Sequence, residues 1–91
     1  MTLKAQANRL TLRIFRMKNE FNALKAKLKK NEISTAEATE KLENLIDLSH
    51  EIESRIEILE EVFDHDVIRY FVDSQDEIIK FHKQLILTNS I

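Results

Sequence analysis

The side chains that are able to bind a metal ion lie in two short motifs. Asp47 and His50 form a D-x-x-H motif, a spacing that also occurs among the ligands of di-iron helical bundles. Such sites need paired motifs that point inward, whereas Asp47 and His50 fall at outward-facing positions of the heptad pattern described below. Glu61 and His65, also one turn apart, are expected at a solvated helix end. We therefore predict no metal site.

The chain offers little for catalysis. Ser49 is a candidate nucleophile, but the helical pattern places it on a buried seam without a base on the same concave surface. His82 is expected beside a third apolar seam, half-buried and hydrogen-bonded. The sequence has no cysteine and no glycine, which removes thiolate chemistry and glycine loops that bind phosphate. We expect no enzymatic activity, no cofactor and no small-molecule substrate.

Basic residues give a stronger signal, because five of them line one side of the first predicted helix, near Phe15. A basic stripe with an aromatic ring can follow phosphates and stack a base. In architecture this layout resembles the Rop family of plasmid RNA-binding proteins, which are helical hairpins that dimerise and present basic first helices around an exposed phenylalanine. The resemblance implies an alternative function as a dimeric RNA-binding regulator. Its candidate residues are Arg9, Arg13, Arg16, Lys27 and Lys30.

The composition predicts that helices position these side chains. Of 91 residues, 43% are hydrophobic and 33% are charged, and glycine, proline, cysteine and tryptophan are absent. This profile is typical of long helices and coiled coils. The chain, residues 1–91, is expected to form a single domain. Because a chain of this length buries only about 60–65% of its unfolded surface, we expect it to draw stability from a partner or a second copy.

Two heptad seams predict a helical hairpin. Apolar residues recur at spacings of 4 and 3 over about residues 2–30, and again over about residues 35–63 with one serine. When the second helix is folded back about Ile33, eight layers pair and both seams end together, which predicts a long, coiled-coil-like antiparallel hairpin. The seams are Leu3, Ala7, Leu10, Ile14, Met17, Phe21, Leu24 and Leu28, then Ala38, Leu42, Leu45, Ser49, Ile52, Ile56, Leu59 and Phe63.

The turn at residues 31–34 is specified without glycine. Asn31 is the best substitute for glycine in the left-handed position that follows a helix. Ser34 and Glu37 form an S-x-x-E capping box, which indicates the start of the second helix.

A third helix is predicted over about residues 67–87, with Asp66 as its N-cap. A second capping box, Ser74 with Glu77, leaves open whether this helix is continuous or kinked near residues 73–74. The apolar face is wider than a coiled-coil seam. It includes a flanking stripe of Ile68, Val72, Ile79 and Ile86. The predicted fold class is all-α, either a three-helix bundle or a dimeric helical bundle.

Charge is strongly segregated along the chain. Residues 1–31 carry a net charge of +8 and residues 32–66 a net charge of −10, whereas residues 67–91 are neutral. A basic helix beside an acidic one is attracted over distances near the Debye length. This segregation therefore favours the hairpin.

The register nevertheless brings like charges together across the hairpin. Arg13 is expected to approach Arg55, and Lys27 is expected to approach Lys41. Uncompensated pairs of this kind are unfavourable, so they indicate that another helix or another subunit lies between them.

Six apolar residues fall off both seams and are the best clue to function. A third helix covers some of them, and those left exposed can form a dimer interface or a groove for a partner helix. We expect a small interaction protein, such as an adaptor, assembly chaperone or regulatory subunit, with a protein partner or a second copy. The candidate interface residues are Leu12, Phe15, Ile46, Leu48, Ile58 and Val62.

Location is predicted from what the sequence lacks. It contains no apolar run near the roughly 18 residues that span a bilayer. Its first ten residues, MTLKAQANRL, lack the apolar core of a signal peptide. We expect a cytoplasmic protein without membrane contact.

Overall fold

The computed structural model describes residues 2–89 and contains three α-helices within them. Helix α1 spans Leu3–Lys29, α2 spans Thr35–Leu59 and α3 spans His65–Asn89, with a 3₁₀ turn at Glu60–Val62. Helices α1 and α2 pack closely as the predicted hairpin, and α3 packs mainly on α2 to complete a three-helix bundle. The all-α prediction is confirmed. None of the helices in this part of the chain is both long and apolar enough to cross a membrane.

Both predicted seams form the core. All eight members of the α2 seam are buried, and the α1 seam is buried from Ala7 to Leu24. Leu3, at the open end of the hairpin, is 55% exposed. The third helix contributes Phe71 and Ile78, which are 2% and 0% exposed. The heptad pattern therefore identifies the buried face of each hairpin helix.

The turn uses the devices that the sequence predicts. Asn31 adopts a left-handed conformation with φ of 59°. The N–H of Asn31 donates to the carbonyl of Leu28, and the N–H of Glu32 donates to that of Lys27, so α1 ends in a Schellman motif. The Ser34 hydroxyl then accepts a hydrogen bond from the N–H of Glu37 at 3.1 Å, which caps α2.

Loss of the Ser34 cap is expected to destabilise the hairpin. Ser34→Ala leaves the Glu37 N–H without its partner, so the free energy of unfolding should fall by about 1 kcal/mol in urea denaturation. Ser54→Ala is the matched control, because Ser54 is exposed within α2 and donates only to the carbonyl of His50. The control should be neutral or slightly stabilising, since alanine is the better helix former. Equal losses in both variants would contradict the capping role.

Helix α3 begins two residues earlier than predicted, because Asp64 and not Asp66 caps it. The Asp64 carboxylate accepts a hydrogen bond from the Asp66 N–H at 2.8 Å, and its carbonyl accepts one from Ile68. The helix then continues through Ser74 without interruption. Ser74 is 2% exposed and donates to the carbonyl of Tyr70 at 2.8 Å, so its hydroxyl is engaged inside the helix and does not cap a new one.

Candidate interaction surfaces

The metal-binding motifs are surface side chains in the structure. Asp47, His50, Glu61 and His65 are all exposed. His50 Nδ1 lies 3.6 Å from a carboxylate oxygen of Glu53 on the same helix. Over residues 2–89, no three histidine, aspartate or glutamate side chains lie close enough together to hold a metal ion.

Ser49 belongs to a polar contact inside the bundle. It is fully buried, donates to the carbonyl of Ile46 at 2.7 Å, and accepts a hydrogen bond from Gln75 Nε2 at 3.1 Å. Both donor and acceptor functions of the hydroxyl are therefore in use. This contact joins α2 to α3 and stabilises their register, since a buried hydroxyl without partners is costly.

His82 differs in one respect from the expected half-buried, hydrogen-bonded histidine. Its side chain is 16% exposed, but Nε2 has no hydrogen-bond partner among the described residues. That atom lies 3.5 Å from a carboxylate oxygen of Glu43. Protonated His82 is thus placed to form an ion pair between α3 and α2.

The side of the hairpin that faces away from α3 is an open groove between α1 and α2. It contains two depressions of about 390 and 400 Å³, and all the residues that line them belong to α1 or α2. The turn-side depression, nearer residues 31–34, has Leu24 and Leu45 at its floor. The distal depression has Leu10 and Leu59 at its floor. All four leucines are at most 5% exposed.

The predicted like-charge pairs lie on the walls of this groove. Lys27 and Lys41 line the turn-side depression, and Arg13 and Arg55 line the distal one. Arg13 also forms a 3.0 Å ion pair with Glu51, one turn before Arg55, so the register agrees with prediction to within a turn. The described part of α3 contributes no residue to either depression. It does not lie between the like charges.

The open groove is positively charged. Five cations and one carboxylate line it, and Glu51, which is ion-paired with Arg13, brings the net charge to +3. The charged lining residues are Arg9, Arg13, Lys27, Lys41 and Arg55, with Glu20. Glutamates concentrate beyond its distal end, where Glu57, Glu60 and Glu61 surround another small depression. On α1 the basic section thus extends from Arg9 to Lys27.

Three of the five basic residues predicted to contact nucleic acid line this groove. Arg9 and Arg13 line the distal depression and Lys27 the turn-side depression. Helical spacing puts Arg16 on the same side as Arg9 and Arg13, and Lys30 is the C-cap residue of α1, three residues after Lys27.

The aromatic ring that was expected to accompany them lies elsewhere. Phe15 faces α3 and packs on Tyr70, with ring centroids 5.2 Å apart. Phe15 remains 42% exposed and Tyr70 37% exposed, and Leu12 is 58% exposed. The structure therefore does not bring the Phe15 ring together with the arginines of the groove.

The six predicted interface residues occupy different places. Leu48 lines the turn-side depression, whereas Ile46 is half-buried against the core. Ile58 and Val62 are 77% and 44% exposed and lie with Leu3 at the distal end. Leu12 and Phe15 are on α1, as described above. Of the six, only Leu48 lines the open groove.

Several residues of the open groove were not predicted as interface residues. Leu10, Leu24, Leu45 and Leu59 were assigned to the hairpin seam alone, and Ala23 and Asn44 carried no signal. The signal that did point to the groove was electrostatic. The like charges in register predicted that another helix or another subunit lies between them, and the described part of α3 is not that helix.

The chain matches no protein-family model, no curated protein and no solved structure. No activity, ligand or partner is therefore suggested by a relative. The groove between α1 and α2, with its leucine floor and basic walls, is the surface whose geometry and chemistry point most directly to a function.

Proposed function

We propose that this chain is a helical protein–protein interaction module that binds a helix of another protein in the open groove. It acts as an adaptor, an assembly chaperone or a regulatory subunit. One observation carries the proposal: the side of the hairpin with like charges on both walls is open, and its two depressions have nearly buried leucines at their floors. A partner helix lies between these like charges, where the described part of α3 does not.

The opposite side of the hairpin shows how a helix fits such a surface. There α3 lies across both hairpin helices, with Phe81 packed edge-to-face on Phe21 at 5.7 Å and Gln75 hydrogen-bonded to Ser49. Recognition of a helix in a groove uses anchors at i, i+3, i+4 and i+7. A helix in the open groove converts the three-helix bundle into a four-helix bundle by the same kind of packing.

Fluorescence at the groove tests this function directly. The chain has no cysteine, so Ala23→Cys, at the turn-side depression, takes a single environment-sensitive dye. Helices selected from a displayed library, about 28 residues long with leucines on one face and variable flanking residues, provide the ligands. We expect binding to change the emission of the dye at position 23.

Two controls make the result specific. Ala26→Cys carries the same dye on an exposed position of α1 that lines neither depression, and its emission should stay unchanged. Leu48→Asp should abolish binding while retaining a cooperative thermal transition by circular dichroism. Equal emission changes at positions 23 and 26, or selected helices that bind Leu48→Asp as well, would refute docking in the groove.

A further inference from the structure

The two depressions of the open groove are two copies of one arrangement of residues. On α1, Leu10 and Arg13 of the distal depression recur as Leu24 and Lys27 of the turn-side depression, each 14 residues later. On α2, Lys41 and Leu45 recur as Arg55 and Leu59 with the same spacing. Each copy has two leucines at the floor and a cation on each wall, and Arg9 adds a second cation to the α1 wall of the distal copy.

The 14-residue spacing between the two copies matches the heptad repeat of a coiled-coil partner helix. Fourteen residues are two heptads, which is about 21 Å along a helix at 1.5 Å per residue. A helix that supercoils with the hairpin presents the same face after two heptads, so a single partner helix meets both copies with equivalent residues. A partner side chain above each leucine floor lies between two cations.

From this arrangement we infer the chemistry of the partner, which rests on the proposed function: the groove takes an acidic amphipathic helix. Two units of that helix, 14 residues apart, each place an apolar side chain over a leucine floor, with Asp or Glu on both flanks facing the wall cations. Charge complementarity of this kind selects partners and penalises like charges across an interface.

The charges also argue against a second copy of the chain in this groove. A symmetric dimer formed groove to groove would bring a net charge of +3 against an equal charge. RNA is also an anion, but it offers no apolar side chain for the leucine floors. The Phe15 ring that could stack a base lies against Tyr70 instead.

Three helical peptides of about 28 residues test the inference by fluorescence anisotropy. The first has leucine units flanked by glutamates with the 14-residue spacing. The second replaces the glutamates with lysines. The third keeps the glutamates but spaces the units by 11 residues, which retains the face of the helix and shifts one unit by about 4.5 Å.

We expect the first peptide to bind at least about tenfold more tightly than the other two, because lysines repel the wall cations and the 11-residue spacing moves one unit out of register. Its affinity should fall when salt rises from about 0.1 M to about 1 M, where the Debye length shortens from about 10 to about 3 Å. The double variant Lys27→Glu, Lys41→Glu should abolish the preference for glutamate over lysine peptides, because the turn-side copy then favours lysine while the distal copy still favours glutamate. Lys29→Glu with Lys83→Glu is the matched control, since both lysines are exposed and line neither depression.

Several results would overturn the inference. Equal binding of glutamate and lysine peptides refutes an acidic partner, and the proposed function stands if library helices still dock at position 23. Failure of every helix to bind removes both. An RNA stem that binds more tightly than the first peptide, and equally well after Leu48→Ser, assigns the groove to RNA. A change in the position 23 dye as the protein alone is concentrated assigns the groove to a second copy.

Discussion

Replacing Phe21 with alanine is expected to lower the free energy of unfolding by about 3–5 kcal/mol. Phe21 is 1% exposed and packs edge-to-face on Phe81. The ammonium groups of Lys25 and Lys18 lie 4.5 and 5.4 Å from its ring centre, so the substitution removes cation–π contacts as well as apolar packing. A domain of this size is stable by roughly 5–13 kcal/mol. The loss is therefore a large fraction of the total, and urea denaturation should show a much lower midpoint.

Phe15→Ala is the matched control for Phe21→Ala. The two rings lie on the same helix, and each contacts an aromatic ring of α3, but Phe15 is 42% exposed. Its removal should cost about 1 kcal/mol or less, as for most partly exposed positions. Similar losses in the two variants would mean that the Phe21 ring is not in the core, and that the hairpin seam is in a different register.

The hairpin was predictable because its determinants are local and repeated. Eight seam layers agree with one register, and a one-residue slip would move a whole seam off the core. The end of α1 was equally well specified, since Asn31 is the residue in the turn best suited to the left-handed conformation without glycine. The third helix was less certain, because Ser74 with Glu77 matches a capping box in sequence, yet burial of Ser74 commits its hydroxyl to Tyr70. Tertiary packing therefore decides whether such a serine caps a new helix or forms a hydrogen bond within the existing one.

The candidate site was predictable only in part. Exposure of Phe15 and Leu12 followed from the heptad pattern, but the side of the hairpin that α3 covers depends on contacts between distant residues, such as Gln75 with Ser49. Sequence reasoning treated Leu24 and Leu45 as core and not as the floor of a groove. A residue buried between two helices can still form the floor of a surface on one side, and only the position of the third helix shows which side remains open.

Ile78→Asp is expected to have the largest effect on stability, abolishing cooperative folding at neutral pH. Ile78 is fully buried in the middle of α3. Loss of its apolar contacts alone costs about 2–5 kcal/mol, and a carboxylate in the same place costs several more because position 78 is fully buried. The sum approaches or exceeds the expected stability of the domain. Circular dichroism should show weak helicity without a sharp thermal transition.

Val72→Asp distinguishes this effect from a general intolerance of α3 to negative charge. Val72 lies on the same helix but is 51% exposed, so its carboxylate stays hydrated and the loss should be within about 0.5 kcal/mol. If Ile78→Asp instead retains the full transition of the unsubstituted protein, α3 is an appendage and the hairpin folds without it. Both sides of the hairpin would then be available to partner helices. Within residues 2–89, the open groove would no longer be the one side of the hairpin that α3 leaves uncovered. Comparison of Ile78→Asp with Val72→Asp thus tests whether α3 is part of the bundle core, and with it whether one side of the hairpin is covered.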